Sequence, residues 1–222
     1  MNKRRIIIGD YDTAESGWTL SAWTFDAAKV KESLLDKPGG DGTWDLSTVL
    51  SDGIPRYQSR ALTAVLERSD GNREAREEEI RDMINTLDGF VWDIYLPDDP
   101  DCYVTGRVNV ARNYSDLAHA SVTVTATCEP WKFNRAETVR EITATETAVA
   151  YSLINSGRRA VVPFLEVGGD SASILVAYNG LTRGLSAGVH QMPDLLLPPG
   201  VHEVEVSGSG TLRISYREAV LE

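Results

Sequence analysis

Lys37-Pro38-Gly39-Gly40-Asp41-Gly42-Thr43-Trp44-Asp45-Leu46-Ser47 is the stretch from which the rest of the chain is read. Three glycines and a proline oppose a helix interior. The segment is also too polar for a central strand. Trp44 and Leu46 alternate in its second half, as they would if that half were extended and packed on something. An arm that leaves its own domain and docks elsewhere has this composition. Extended at roughly 3.3 Å per residue, Lys37 to Ser47 would reach about 35 Å.

Outward from the arm, the chain reads as mainly β. Arg5 to Ile8, Trp18 to Phe25 and Tyr57 to Arg68 have strand character, the last with Leu62, Ala64 and Leu66 on one face. One helix follows. Asp70 or Asn72 can cap it, and Arg73, Arg76, Glu77 and Arg81 offer ion pairs at helical spacing. Ile80, Met83, Ile84 and Leu87 form a single apolar stripe for packing on the neighbouring sheet, and Gly89 ends the helix. Phe90 to Leu96, the turn Pro97 to Asp101 and Cys102 to Val110 read as a hairpin. Val122, Val124, Ala126 and Cys128 then alternate with Thr123, Thr125 and Thr127.

Asn134 to Thr147 is polar, without an apolar stripe, and reads as a linker or an entering strand. Short strands with frequent turns follow, including Asn179-Gly180, the strongest short hairpin signal. The expected organisation is therefore an N-terminal domain over 1–133 with the arm at 30–50, a linker at 134–147, and a second β-sandwich over 148–222.

Charge and composition narrow the function. The net charge is −11, with 15 Lys+Arg against 23 Asp+Glu in residues 1–133. Such a surface does not hold nucleic acid by neutralising phosphates. It suits a wall past which DNA slides, and carboxylates of the first domain are expected to line it. No apolar run reaches the roughly 18 residues of a membrane helix. The start, basic and then briefly apolar, lacks a signal-peptide core and reads as a strand made in the cytoplasm. Two cysteines, Cys102 and Cys128, are too few for a disulfide framework and read as reduced thiols.

Catalytic and ligand motifs fail on their context. Gly184-Leu185-Ser186-Ala187-Gly188 spells a hydrolase nucleophile motif, with Asp194 and His202 following, but no helix signal succeeds it. Asp98, Asp99 and Asp101 lack calcium-loop spacing. His119, His190 and His202 stand apart, which argues against zinc. Gly39-Gly40-Asp41-Gly42 has neither the lysine nor the helix of a phosphate cradle. All five tryptophans lie in the first part, so the second sandwich lacks the aromatic platform of a sugar site. The reading is a non-enzyme with no cofactor and no metal. One alternative is a carbohydrate-binding β-sandwich protein.

Several segments, in order, resemble the distal tail (Dit) proteins of long-tailed phages. Val30-Lys31 followed by Pro38-Gly39-Gly40-Asp41-Gly42 and Asp45-Leu46 is similar to the family's belt. Leu87-Asp88-Gly89, Asp98-Asp99-Pro100-Asp101-Cys102-Tyr103, Gly106-Arg107-Val108 and Cys128-Glu129-Pro130-Trp131-Lys132 resemble later parts of its N-terminal domain. Asn155-Ser156-Gly157, Pro163, Leu197-Pro198-Pro199-Gly200 and Ser215-Tyr216-Arg217-Glu218 resemble its C-terminal sandwich. The resemblance implies a tail-tube-like N-terminal domain, a galectin-like C-terminal domain and a hexameric ring at the virion's tail tip. It implies that Val30, Pro38, Gly39, Gly40, Asp41, Gly42, Trp44 and Leu46 form a belt around the neighbouring subunit. DNA would pass through the ring without specific binding. The alternative on the same fold is another tail-tube or baseplate structural component. The implied partners are the tail tube protein, a tail-associated hub or lysin protein, and receptor-binding proteins through the C-terminal domain.

Overall fold

The computed structural model describes residues 5–51 and 53–222; the basic start Met1–Arg4 and Asp52 of the 51–55 loop lie outside them. The chain divides into two units, the first ending at Lys132 and the second running from Phe133 to Glu222. The fold is mainly β with one helix.

The first unit contains β1 (Ile7–Ile8), β2 (Tyr11–Asp12), β3 (Thr19–Phe25), β4 (Leu34–Asp36), β5 (Thr43–Asp45) and β6 (Arg60–Arg68). Helix α1 (Arg73–Leu87), β7 (Val91–Leu96), β8 (Asp99–Ser115) and β9 (Ala120–Cys128) complete it. Its antiparallel sheet runs β2-β1-β7-β8-β9-β6-β3, while β4 and β5 form a separate two-stranded sheet.

Alternation sorts the large sheet into two faces. Leu62, Ala64 and Leu66 of β6, Val104, Val108 and Val110 of β8 and Val122, Val124 and Ala126 of β9 point to the core. Ile80, Met83 and Leu87 of α1 are buried in the same cluster, and Ile84 packs at its edge. Asn72 caps the helix, its side-chain oxygen accepting from the Ala75 N–H at 2.8 Å. Gly89, with φ of 80°, follows its C-terminal end.

The opposite face is set by the same register. Thr24 of β3 pairs with Thr63, Thr63 with Thr125, and Thr125 with Asn109, giving one polar row across four strands. Beside it runs Ala22-Val65-Thr123-Ala111. On the other side runs Ala61-Thr127-Arg107-Val91.

One charged residue behaves unlike the sequence reading. Arg76 is not a surface ion-pairing residue but is buried, 1% exposed. Its Nη1 donates to Asp70 O and Gly71 O, at 3.2 and 2.6 Å. Its Nη2 donates to Asp116 O and Leu117 O, at 3.1 and 2.9 Å. The guanidinium thus ties the loop before α1 to the tip of the β8–β9 hairpin. A planar fork with several fixed donors suits four carbonyls in two loops. Its Nε has no hydrogen-bond partner.

The second unit holds β11 (Thr138–Ala144), β12 (Val149–Asn155), β13 (Phe164–Tyr178), β14 (Leu181–Ser186), β15 (Gly188–Gln191) and β16 (Gly200–Tyr216); the short β10 (Lys132–Asn134) precedes them and β17 (Ala219–Val220) ends them. The segment read as linker or entering strand therefore contains a strand. β11 pairs with the second half of β16, from Thr138↔Tyr216 to Ala144↔Gly210. Ile142 is its one fully buried apolar residue, so its sequence carries little strand signal. β12 pairs with the first half of β16. β13 follows β16 throughout, with an irregularity between Gly168 and Ser173. Gly208 sits opposite that irregularity at φ of 117°, where a Cβ would come within 2.1 Å of Ser173 O.

Candidate functional site: an exposed hairpin arm

The arm begins and ends at a narrow base. Val30 and Tyr57 form an isolated antiparallel bridge. The Lys31 N–H donates to Arg56 O at 2.7 Å and the Gln58 N–H to Lys29 O at 2.8 Å. Beyond this stem the chain does not stay extended. Leu34 pairs with Asp45, Leu35 with Trp44 and Asp36 with Thr43, so Lys37–Ser47 doubles back instead of spanning its contour length. The reach from Ser33 to the tip is roughly 20 Å at about 3.3 Å per residue, little more than half the extended expectation.

The tip explains the glycines. Pro38 and Gly39 occupy the centre of a turn closed by the Gly40 N–H donating to Lys37 O at 3.2 Å. Gly39 has φ of 69°, as the third residue of a type II turn requires, and Pro38 supplies the fixed φ before it. The Lys37 N–H then donates to Gly42 O. Asp41 is exposed on this tip. At the base of β5 the Ser47 N–H donates to Asp45 Oδ1 at 2.8 Å, and the Ser47 hydroxyl accepts from the Ser33 N–H. Ser47 holds the Asp45 carboxyl below the usual carboxylate range through its side chain first and its backbone N–H second.

Two-residue alternation gives the hairpin one apolar face. Leu35 and Trp44 are cross-strand partners on one side. Leu46, whose N–H donates to Ser33 O, falls on the same side. Leu34 and Asp45 are partners on the other. Trp44 is 49% exposed, Leu35 53% and Leu46 41%. Val49, Leu50 and Ile54 extend the exposed apolar surface toward the base. A lone two-stranded hairpin is marginal in water, and this one leaves its largest side chains uncovered.

The sequence singles out Trp44 and Leu46 but not Leu35, Val49, Leu50 or Ile54. Leu35 becomes legible only once Pro38-Gly39 is read as a hairpin turn that places it opposite Trp44.

The other singled-out residues occupy different places. Ser186 ends β14, its carbonyl within 2.7 Å of His190 Nε2, and β15 follows it, not a helix. Asp194 pairs with Arg183 at 2.8 Å, while His202 lies 3.1 Å from the Tyr178 hydroxyl. Asp99 takes a salt bridge from Lys132 at 3.2 Å. Among the described residues no group of three or more His, Cys, Asp or Glu side chains could hold a metal ion, and no helix is long and apolar enough to cross a membrane. Both cysteines are free thiols; burial pushes Cys128 up to about 12.

Among solved structures, the chain is similar to the crystal structure of SPP1 Dit (gp 19.1), described as a paradigm of the hub adsorption apparatus in phages that infect Gram-positive bacteria. The alignment covers 96% of this chain and 98% of that one, with a TM-score of 0.67. The chain shares the fold of SPP1 Dit. With 12% sequence identity, the likeness to SPP1 Dit is one of fold. At 96% of this chain, the alignment runs through both units and not merely one of them. No protein-family profile matches the sequence, and no curated protein does.

Proposed function

We propose that this protein is a structural hub of a long-tailed phage, positioned at the tail tip of the virion. Six copies close a ring whose first units surround the DNA channel. The arm of each copy lays its Leu35-Trp44-Leu46 face on the next copy. One side of the ring meets the tail tube protein and the other a tail-associated hub or lysin protein. The second unit is available to receptor-binding proteins.

The observation that carries this reading is the fold shared with a phage hub protein over 96% of the chain. The arm supports it independently. A hairpin whose apolar face stays about half exposed among the described residues suits an assembly element, and a buried aromatic anchor dominates the energetics of such contacts. The hexameric count and the named partners come with the hub reading. The appended second unit speaks against a bare tube subunit. Negative-stain imaging of the purified chain, alone and with the tail tube protein, tests the proposal. Closed six-fold rings with a central hole are expected; open tubes would favour a tube subunit.

A further inference from the structure

The edge of a sheet is a row of unpaired N–H and C=O groups, and proteins blunt such rows with charge, a bulge, a strand-weakening residue or sheer brevity. Among the described residues nearly every edge carries one of these devices. The strands β2, β4, β5, β10, β15 and β17 have four residues or fewer. β11 holds Arg140 and Glu141, and β14 holds Arg183 and Gly184. β3 is uncharged, but its register shifts between Leu20 and Ala22.

β12 has no such device. Val149-Ala150-Tyr151-Ser152-Leu153-Ile154-Asn155 is seven residues long, without a charge, a glycine or a proline. It pairs with β16 from Val149↔Val206 to Asn155↔Gly200 with no shift of register, and β16 is its one strand partner among the described residues. The Tyr216 hydroxyl donates to Ile154 O at 2.7 Å, which fixes the end of the strand. Val149, Tyr151 and Ile154 are strong strand formers, so β12 is a straight template and not a fraying one.

The neighbouring strand says what the template selects. Leu153 is buried on the core face, while Ala150, Ser152 and Ile154 are exposed on the outer one. Directly across from Ala150 and Ser152 stand Glu205 and Glu203 of β16, both exposed. A strand added to β12 would lie about 4.8 Å from it and about 10 Å from β16. Ala150 and Ser152 are too small to obstruct that gap. A lysine or arginine on the added strand can cross them and meet the Glu203 and Glu205 carboxylates, given its long flexible stem. Ala150 and Ser152 are two residues apart, so the matching cations are two residues apart as well. A second copy of β12 supplies no cation and would bring the outer carboxylates of both copies onto one face.

We propose that β12 is a strand-addition site, and that its occupant is an extended segment of a partner protein with lysine or arginine at alternate positions. Backbone pairing along the edge supplies the affinity, and the Glu203–Glu205 pair supplies the choice of sequence. This site lies wholly within the second unit and goes beyond the hub reading.

Amide NMR of the full chain tests it, with a short capped peptide of alternating lysine and valine as the probe. At about 150 mM salt, long-range attraction to the acidic surface is screened. The expected result is a set of saturable shifts centred on residues 149–155 and on Glu203 and Glu205. An alternating glutamate and valine peptide should leave these amides unmoved. So should the lysine peptide with every backbone nitrogen methylated, which keeps the charge and loses the strand donors. Ser152→Lys, which puts a like charge on the edge, should weaken the probe about tenfold, and Glu203→Gln/Glu205→Gln should do the same, each without a change in thermal unfolding. Equal shifts with the methylated peptide, or shifts confined to the acidic flank of α1 at Glu74, Glu78 and Asp82, would overturn the proposal. A parent dimer that Ser152→Lys disperses would give the edge to a second copy and overturn it too.

Discussion

Leu35 lies directly across the β4–β5 hairpin from Trp44, and both are about half exposed. The pair heads the larger apolar face of the arm, the side opposite Leu34 and Asp45, and what that face lacks is a partner surface. Truncating either residue removes contact area without touching the core of the first unit. Trp44→Ala and Leu35→Ala are each expected to weaken ring assembly by about 2 kcal/mol, roughly 30-fold. Thermal unfolding of the monomer should stay within about 0.5 kcal/mol of the parent. Sedimentation velocity over a dilution series reads the first effect; an unchanged ring in both variants removes the arm as an anchor.

Arg76 is a structural counterpart inside the fold. Its four donations to the backbone of two loops have no substitute if the side chain is cut. Arg76→Ala should cost about 3 kcal/mol or more, because the carbonyls lose charged donors at a buried position. Arg76→Lys should recover only part of this, since an ammonium cannot span both loops. Urea denaturation followed by tryptophan fluorescence reports it, as all five tryptophans lie in residues 1–132. A loss below about 1 kcal/mol would mean the loops hold without the clamp.

Gly208 faces Ser173 O where no side chain fits. Gly208→Ala adds both a clash with backbone and an unfavourable φ, and is expected to destabilise the second unit by about 2–3 kcal/mol. Gly180→Ala is the contrast. Its φ is also positive but nothing lies near its Cβ position, so it should cost only about 1 kcal/mol. Differential scanning calorimetry of the two variants decides; equal effects would show that the close approach is not limiting.

Alkaline pH should loosen the first unit. Burial first, then nearby Glu79, raises Tyr11 from 10.0 to about 12, and burial raises Cys128 from 9.0 to about 12. Both groups keep their protons longer in the folded chain than in the unfolded one. Their contribution is complete below about pH 9 and is lost as pH rises toward 12. Urea midpoints measured at about pH 8 and pH 11 should fall with pH, and less steeply in Tyr11→Phe. A midpoint that rises over this range would reverse the sign of the argument.

Much of the first unit is legible in the sequence because its periodicities are clean. Ile80, Met83, Ile84 and Leu87 show a 3.6-residue stripe, and the Val and Thr alternation of β9 separates core face from outer face. Arg76 was also readable, since 76, 80, 83 and 87 continue one stripe, but a charged residue on a short helix suggests the surface. β11 stayed ambiguous because it borrows its order from pairing with β16 and buries chiefly Ile142. The arm's composition excludes helix and core strand, whereas its foldback depends on one turn at Pro38-Gly39. Its destination is not written in any local pattern, because the surface that would cover Trp44 belongs to another molecule in this account.

The most direct measurement is negative-stain imaging with mass determination on the parent chain and on Leu35→Ala/Trp44→Ala, side by side at low protein concentration and in the presence of the tail tube protein. The account predicts closed six-subunit rings for the parent and dispersed monomers for the double variant. Rings of equal abundance in both samples, or no rings in either, would contradict it.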